Sequence, residues 1–216
     1  MLWPVSRADV EAFVLNKTEA LADGNPHFHQ PHVIDFDKTQ HTLTLTYIPA
    51  EPLSVLCCEK APANTGVGLP SVHQLTELLR FLHRINHLPY DSFSADEKRL
   101  LDQQLEIVQC MYHNKMKDIC RPLTGAPWYF CLGDVSLNNI LFDGDCFTLL
   151  DFECAHMGYA GYDIGQLLGM ARVSDSLLAE RLIQALKTAV PDEAERALIL
   201  IWADRFEQYY AAEGAS

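Results

Sequence analysis

The segment from Gly133 to Glu153 constrains the fold of this chain more than any other part of the sequence. Ile140 to Phe142 and Phe147 to Leu150 are short, apolar, β-prone runs, and the Asp-Gly step between them is typical of a tight hairpin turn. The pattern therefore predicts two short antiparallel strands. Such a hairpin returns the chain to its starting point, so the residues before the first strand and after the second meet at its open end.

Three polar residues are expected near that open end. Asn139 enters the first strand, Asp151 leaves the second, and Asp134 lies on the loop just upstream. Carboxylate and amide oxygens suit Mg²⁺, which commonly shares its ligands with substrate phosphates. A free carboxylate can also accept the proton of a hydroxyl group. Each residue alone would more simply be a turn former, but their combined spacing favours a site.

The same segment resembles the catalytic core of the aminoglycoside phosphotransferase and choline kinase families, which are distant relatives of protein kinases. Their pattern reads H-G-D-x-x-x-x-N, then a hairpin, then I-D-[WF]-E. The resemblance implies that Asp134 is the catalytic base and that Asn139 and Asp151 are Mg²⁺ ligands, as in the kinase template. Leu132 stands where the family has His, a residue that mainly packs under the catalytic loop.

Two further segments resemble these families. Gly158 to Gly165 matches G-x-x-x-x-D-[LI]-[AG], in which the Asp, here Asp163, caps a helix and hydrogen-bonds the catalytic-loop backbone. An ordinary helix N-cap is the simpler interpretation. Tyr47 to Leu53 resembles the hinge E-Y-[IL]-P-G-x-x-L, which implies that backbone groups of Tyr47 and Ile48 bind the adenine of ATP. A strand ended by a proline explains that segment equally well.

The resemblance implies an α+β fold of the protein kinase-like, aminoglycoside phosphotransferase type. Residues 1–52 would form an abbreviated N-terminal lobe with the hinge, and residues 53–216 a mainly helical C-terminal lobe with the catalytic loop and metal-binding hairpin. Such enzymes normally begin with strands that carry a phosphate-covering loop and a nucleotide-binding Lys, held by a helical Glu.

Glu11 is the expected equivalent of that Glu, with Glu19 as second choice. The first strands and their Lys are then expected to be absent, and a partner chain or self-association would complete the lobe. Lys17 is not expected to replace the missing Lys, because it falls within the same helix as Glu11.

Local patterns predict the remaining elements. Ser6 with Asp9 begins a helix that ends near Gly24. Capping-box patterns start two more helices, at Ser71–Gln74 and Ser94–Glu97. The other predicted elements are a hairpin of residues 32–36 and 42–48, and two helices over residues 174–189 and 192–211.

Composition excludes several classes of protein. A chain of 216 residues with 49% hydrophobic content can bury a substantial core. No apolar run is long enough to span a bilayer, and the N-terminus lacks a secretory signal, which predicts a cytoplasmic protein. A net charge of -13 argues against a nucleic-acid partner and suits a cationic substrate. Seven cysteines without C-x-x-C spacing fit free thiols.

Several histidines invite a metal interpretation. His27, His29 and His32 match no standard zinc spacing, so an incidental cluster is expected. The Leu82-His83 step resembles the L-H that closes the corresponding helix in the family. His83 taken alone is expected to be a packing or capping residue rather than a ligand.

Three functions remain open at this point. The first is an ATP-dependent, Mg²⁺-assisted phosphotransferase that moves the γ-phosphate to a hydroxyl of a small molecule: an aminoglycoside, an amino alcohol or a sugar-like compound. The second is a pseudokinase-type binding protein that retains the fold, which the missing Lys, covering loop and motif His favour. The third, a metal-dependent hydrolase using Asp134 and Asp151, is least favoured because no water-activating ligand set is recognisable.

Overall fold

A computed structural model of the chain describes residues 6–57, 66–113 and 128–214. Seven α-helices and seven β-strands lie in these residues. The helices are α1 (Arg7–Ala22), α2 (Leu53–Leu56), α3 (Val72–Asn86), α4 (Ala95–His113), α5 (Tyr162–Ser174), α6 (Ser176–Ala189) and α7 (Glu193–Gly214). The strands are β1 (Val33–Asp37), β2 (Thr42–Leu45), β3 (Glu51–Pro52), β4 (Trp128–Cys131), β5 (Ile140–Phe142), β6 (Phe147–Leu149) and β7 (His156–Tyr159).

The N-terminal part consists of α1 and a two-stranded ribbon. The Ser6 hydroxyl accepts the Asp9 N–H at 3.1 Å, and the Asp9 carboxylate accepts the Ser6 N–H at 3.2 Å. This reciprocal cap satisfies two donors that the first turn of a helix leaves unpaired. β1 and β2 pair antiparallel, from Asp37 opposite Thr42 onward. The predicted first helix and hairpin are both confirmed.

The second strand of the ribbon ends earlier than predicted, at Leu45 rather than Ile48. Beyond it the Thr46 hydroxyl, not a backbone carbonyl, accepts the N–H of His32 at 2.9 Å. Thr46 N still donates to the His32 carbonyl at 3.0 Å, so this pair keeps one of its two backbone bonds and the side chain replaces the other.

Both capping boxes predicted for the middle of the chain are present, and the helices they begin bury one apolar face. Gln74 N donates to the Ser71 hydroxyl at 3.3 Å, and Glu97 N donates to the Ser94 hydroxyl at 3.3 Å. α3 buries five apolar side chains on one face: Leu75, Leu78, Leu79, Leu82 and Ile85. Because these positions recur every three to four residues, α3 packs as a central element of the core.

Two small antiparallel sheets hold the central loops. β5 and β6 form the predicted hairpin, with Ile140 opposite Leu149, and β3 joins its outer edge with Glu51 opposite Phe142. The hinge segment that precedes β3 is therefore attached to the hairpin. A second sheet pairs β4 with β7, placing Cys131 opposite His156.

The helices α5 and α7 approach each other closely because glycines on α5 face α7. A Cβ atom added at Gly165 would lie 2.3 Å from the Cβ of Trp202, and one added at Gly169 would lie 2.6 Å from the carbonyl oxygen of Ala203. Real atoms do not approach so closely, so only hydrogen fits at these positions. α7 therefore packs directly against α5, the helix that follows β7.

None of the helices in the described parts of the chain combines the length and apolar character needed to cross a membrane. Three cysteines in the described parts of the chain form no disulfide: Cys131, Cys146 and Cys154. Among the described residues, this agrees with the expectation of free thiols.

Candidate functional site

The structure brings Asp134, Asn139 and Asp151 together at the open end of the β5–β6 hairpin. The Asn139 amide nitrogen donates to the Asp134 carboxylate at 2.9 Å and to the Asp134 backbone oxygen at 3.1 Å. Leu150 N donates to the Asn139 carbonyl at 2.9 Å. This last bond fixes the point at which Asp151 leaves the hairpin. The three predicted site residues thus lie at the same end of the hairpin.

Asp151 leaves the hairpin through a backbone conformation that few residues adopt. Its φ is 61°, in the left-handed region, where non-glycine residues are uncommon and Asp is among the better tolerated. Such outliers cluster at functional sites, where the surrounding structure holds them in place.

The cleft concentrates negative charge. Burial raises the pKa of Asp134 to about 6, the nearby Asp151 adds to the rise, and hydrogen bonds from Asn139 and Gln166 oppose it. Burial also raises the pKa of Glu11, again with contributions from Asp151 and Glu153. The predicted helical Glu therefore lies beside the same cleft.

Little positive charge balances these carboxylates. Arg7 pairs with Glu153 at 2.8 Å, whereas within residues 6–57, 66–113 and 128–214 no basic side chain forms an ion pair with Glu11, Asp134 or Asp151. Crowded carboxylates of this kind either retain a proton or attract a cation.

The donor atoms fit Mg²⁺. Carboxylate oxygens of Asp134 and Asp151 are hard ligands, and Asn139 uses only its amide nitrogen in its bonds to Asp134, so its side-chain oxygen takes no part in them. Hard oxygen ligands with excess negative charge are what Mg²⁺ requires.

Asp163 hydrogen-bonds the backbone of the loop that carries Asp134, which is the predicted catalytic loop. Its carboxylate has no exposed surface and accepts three hydrogen bonds: from Leu132 N at 2.8 Å, from Gly133 N at 3.0 Å and from the Asn86 amide at 2.6 Å. Burial raises the pKa of Asp163, and these three donors oppose the rise. A group that only accepts, as an ionised carboxylate does, satisfies all three. The predicted bonding of Asp163 to the loop backbone is confirmed.

The other half of that expectation, that Asp163 caps a helix, is wrong. α5 has Gly161 as its N-cap, without a side-chain cap, and Asp163 lies inside the first turn. Its carboxylate is already engaged by Leu132, Gly133 and Asn86 and is not part of a cap.

Gln166 also holds the loop that carries Asp134, and the sequence did not predict this role. Its side-chain oxygen accepts Val135 N at 3.0 Å, and its nitrogen donates to the Asp134 carboxylate at 3.2 Å and to the Tyr210 hydroxyl at 3.1 Å. Gln166 follows Asp163 by three residues and so lies on the same helix face. That spacing is the one signal that points to it.

A histidine packs beneath the catalytic loop, although it does not come from the loop itself. His156 on β7 is 3% exposed, and its Nδ1 lies 2.7 Å from the Cys154 carbonyl. Because a carbonyl only accepts, Nδ1 carries the proton. A Cβ added at Gly133 would lie 2.1 Å from that same carbonyl oxygen and 3.0 Å from His156 Nδ1. Leu132, in the family's His position, is instead a core residue.

The comparisons with known proteins show the family and the fold of this chain. Residues 19–199 match the family model described as the phosphotransferase enzyme family. The chain belongs to this family. The kinase-like α+β fold expected of a phosphotransferase is confirmed.

A solved structure supports the same fold. The crystal structure of a choline/ethanolamine kinase family protein from Mesorhizobium loti has a TM-score of 0.52 with this phosphotransferase and 19% sequence identity. The match covers 99% of this chain and 70% of the other. At that identity the likeness concerns the fold alone. No curated protein matches the chain significantly.

The segment predicted to be the hinge lies beside the β5–β6 hairpin. The Tyr47 side chain is 87% exposed, and the Ile48 carbonyl accepts Ala50 N at 3.0 Å in a tight turn before β3. Since β3 pairs with β5, the hinge backbone and the hairpin form one unit. Adenine binding by Tyr47 and Ile48 remains a prediction.

Lys17 is engaged away from the cleft. Its ammonium group donates to the Ser92 carbonyl at 2.8 Å and lies 3.5 Å from the Glu97 carboxylate. This agrees with the expectation that Lys17 does not replace a nucleotide-binding Lys.

The N-terminal histidines do not converge on one point. The ring of His27 packs on His73, with centroids 5.8 Å apart, while His29 and His32 each approach a different carboxylate at 3.7 Å. As a group of three, they form no site.

Proposed function

We propose that this member of the phosphotransferase family transfers the γ-phosphate of ATP to a hydroxyl group of a small molecule. Asp134 acts as the base, and Asn139 and Asp151 hold Mg²⁺. The observation that carries the proposal is that Asn139 hydrogen-bonds Asp134 at the open end of the hairpin, where burial and then the nearby Asp151 raise the pKa of Asp134. Residues 1–52 form the nucleotide-side lobe and hinge, and residues 53–216 the larger lobe.

Asp134 is suited to accept the proton of the acceptor hydroxyl. With a pKa of about 6, its carboxylate is mostly ionised at neutral pH, yet it is a stronger base than an ordinary Asp. Hydrogen bonds from Asn139 and Gln166 fix its orientation. When bound with the nucleotide, Mg²⁺ neutralises phosphate charge, which is most of what phosphoryl transfer requires beyond positioning.

The acceptor is proposed to bind between the catalytic loop and α7. Gln166 links Asp134 to the Tyr210 hydroxyl on α7, so this helix reaches the neighbourhood of the base. The excess of carboxylates around Asp134 favours a cationic alcohol, which ranks an aminoglycoside or amino alcohol ahead of a neutral sugar. Dependence on ATP, together with the thiols of Cys131, Cys146 and Cys154, fits a cytoplasmic location.

The test is calorimetric titration of ATP into the purified chain with and without Mg²⁺, followed by an ADP-release assay with a panel of cationic and neutral alcohols. Asp151→Ala is expected to abolish Mg²⁺-dependent binding, whereas Asp134→Asn is expected to retain binding and lose turnover. Asp145→Asn, on the exposed tip of the same hairpin, serves as the matched control. Absence of Mg²⁺-dependent binding in a folded chain would contradict the proposal.

The second candidate is a pseudokinase-type binding protein. It is favoured by one observation: Glu11 has no Lys partner within the described residues, and Lys17 is bound elsewhere. The ribbon also leaves Val33 and Ile34 exposed, at 37% and 64%, on β1, which pairs with no strand other than β2 within residues 6–57, 66–113 and 128–214. A partner chain or a second copy that adds strands there would complete the lobe. Binding of ATP without turnover of any acceptor would favour this candidate.

A further inference from the structure

Three side chains with metal-binding chemistry meet where the end of α3 contacts the start of α7, away from the cleft. The Nε2 atom of His83 lies 3.1 Å from a Glu195 carboxylate oxygen, and the Nε2 atom of His87 lies 3.6 Å from the same oxygen. The three ligand atoms all fall within 4.8 Å of one another.

The spacing of these atoms fits a tetrahedral metal ion. Zinc binds His nitrogen and carboxylate oxygen at about 2.0–2.1 Å, which places neighbouring ligand atoms about 3.3 Å apart in a tetrahedron. The distances from Glu195 to His83 and His87, 3.1 and 3.6 Å, lie on either side of that value. Both distances to Glu195 are therefore close to the separation of two ligands on one ion.

The hydrogen bonding of His87 favours a proton or a metal ion between its Nε2 atom and Glu195. Its Nδ1 lies 2.7 Å from the His83 carbonyl, so Nδ1 carries a proton and the neutral ring has a bare lone pair at Nε2. That lone pair faces the Glu195 oxygen, which is also an acceptor. Two acceptors facing each other are favourable only with a proton or a metal ion between them. A backbone carbonyl on the other ring nitrogen is the usual arrangement at metal-bound histidines.

The two histidines are held together by their helix and Glu195 by its cap. His83 lies in the last turn of α3 and His87 is the C-cap of that helix four residues later, with the two ring centroids 4.0 Å apart. The Glu195 N–H donates to the Asp192 carboxylate at 2.8 Å at the start of α7. In the described ranges no Lys or Arg pairs with Glu195, and the neighbouring Arg196 donates instead to backbone carbonyls.

We propose that His83, His87 and Glu195 bind one transition-metal ion, with Zn²⁺ the best match. Two imidazoles and one carboxylate leave a fourth position for water, and side-chain exposures of 23%, 33% and 13% leave the site open to solvent. The proposal gives His83 a ligand role, whereas the sequence predicted a packing or capping residue. This site is separate from the proposed phosphotransfer chemistry, which uses oxygen ligands.

A bound ion would tie α3 to α7 beside a residue that supports the catalytic loop. Asn86 lies between the two histidines in the sequence and donates to Asp163 at 2.6 Å and to the Phe130 carbonyl at 2.8 Å. The site is thus placed to stiffen the end of α3 from which Asn86 acts.

The test is competition for Zn²⁺ between the full-length chain and a chromophoric chelator, in excess Mg²⁺ to occupy oxygen-ligand sites. One equivalent is expected to bind, and His87→Ala and Glu195→Gln are each expected to weaken it more than about 100-fold, since loss of even an outer partner weakens binding 10–100-fold. His73→Ala and Asp151→Asn are the controls and should leave the affinity unchanged. Circular dichroism establishes that each variant is folded.

Co²⁺ substitution identifies the ligands. Visible bands without a sulfur charge-transfer band are expected, because the proposed ligands are nitrogen and oxygen. Another group in the described residues, His29 with Asp143 and Cys146, would instead give the sulfur band and lose binding in Cys146→Ser. That result, an absence of Zn²⁺ binding, or binding unaffected by His87→Ala and Glu195→Gln would overturn the proposal.

Discussion

Replacing Asp163 by Asn is expected to lower the free energy of unfolding by about 2 kcal/mol. The buried carboxylate accepts hydrogen bonds from Leu132 N, Gly133 N and the Asn86 amide. An amide of the same shape has only one acceptor oxygen. Its NH₂ group must therefore face at least one of these donors.

The magnitude follows from how the three bonds divide between the two carboxylate oxygens. Oδ2 accepts from Leu132 and Asn86, and Oδ1 accepts from Gly133. The best Asn orientation keeps the first two and leaves the Gly133 N–H unpaired, which costs about 1–3 kcal/mol. The two retained bonds lose their charge assistance, at about 1 kcal/mol each. Removal of a buried charge, which burial itself disfavours, offsets part of this sum.

Urea unfolding followed by far-UV circular dichroism measures this difference, and hydrogen exchange at the amides of Leu132 and Gly133 reports its location. Asp175→Asn is the matched control. Asp175 caps α6 by accepting Leu178 N at 2.8 Å, and Asn caps helices about as well as Asp. A loss in Asp163→Asn within about 0.5 kcal/mol of this control, or unchanged exchange at the two amides, would refute the role of Asp163 as loop anchor.

Three other predictions concern the same region. In urea unfolding, Gly133→Ala should destabilise the fold by several kcal/mol more than Gly24→Ala. Both glycines have positive φ, 86° and 75°, but only at Gly133 would the new Cβ meet a backbone carbonyl, at 2.1 Å. Equal losses of stability would contradict this close contact. NMR titration should place the pKa of Asp134 near 6 and find it lower in Asp151→Asn. Because the pKa of Asp134 in the folded chain is raised above 3.8, ionisation of Asp134 reduces the stability of the fold as pH rises from about 4 to about 6. The free energy of unfolding of Asp151→Asn should therefore rise relative to that of the native chain over that pH range. A difference that does not change with pH would count against coupling between the two carboxylates. Gly165→Ala should lower the melting temperature by several degrees, because its Cβ would lie 2.3 Å from a side-chain carbon of α7, whereas Gly68→Ala, with open space around it, should not.

Features decided by near neighbours in the chain were predictable from the sequence. The reciprocal cap of Ser6 and Asp9 needs only residues three apart, and the β5–β6 hairpin needs only an Asp-Gly turn between two apolar runs. Because that hairpin fixes where its ends lie, the meeting of Asn139 and Asp151 with the upstream loop also followed from local pattern.

Features that depend on packing between distant elements were not predictable. Gln166 holds Asp134 and His156 lies beneath Gly133 only because α5 and β7 pack against the catalytic loop. The local sequence around His156 gives no sign of its contact, and the only sign for Gln166 is its three-residue spacing from Asp163. Glu195 meets His83 for the same reason, across 112 residues of chain. A single sequence without tertiary information ranks such residues as ordinary helix or strand positions.

The close seating of α7 on α5 restricts which sequences this fold can accept. At Gly169 the atoms that a new side chain would meet include the Ala203 carbonyl and the Glu207 amide nitrogen, which belong to the backbone. A larger residue there cannot be accommodated by trimming a partner side chain, because every amino acid carries the same backbone atoms. A second substitution on α7 therefore cannot relieve the clash that a larger residue at position 169 would make. In a mutational library, Gly169 should tolerate no single substitution, and no second substitution should rescue one. Residues that touch through side chains elsewhere in the core should instead accept paired substitutions.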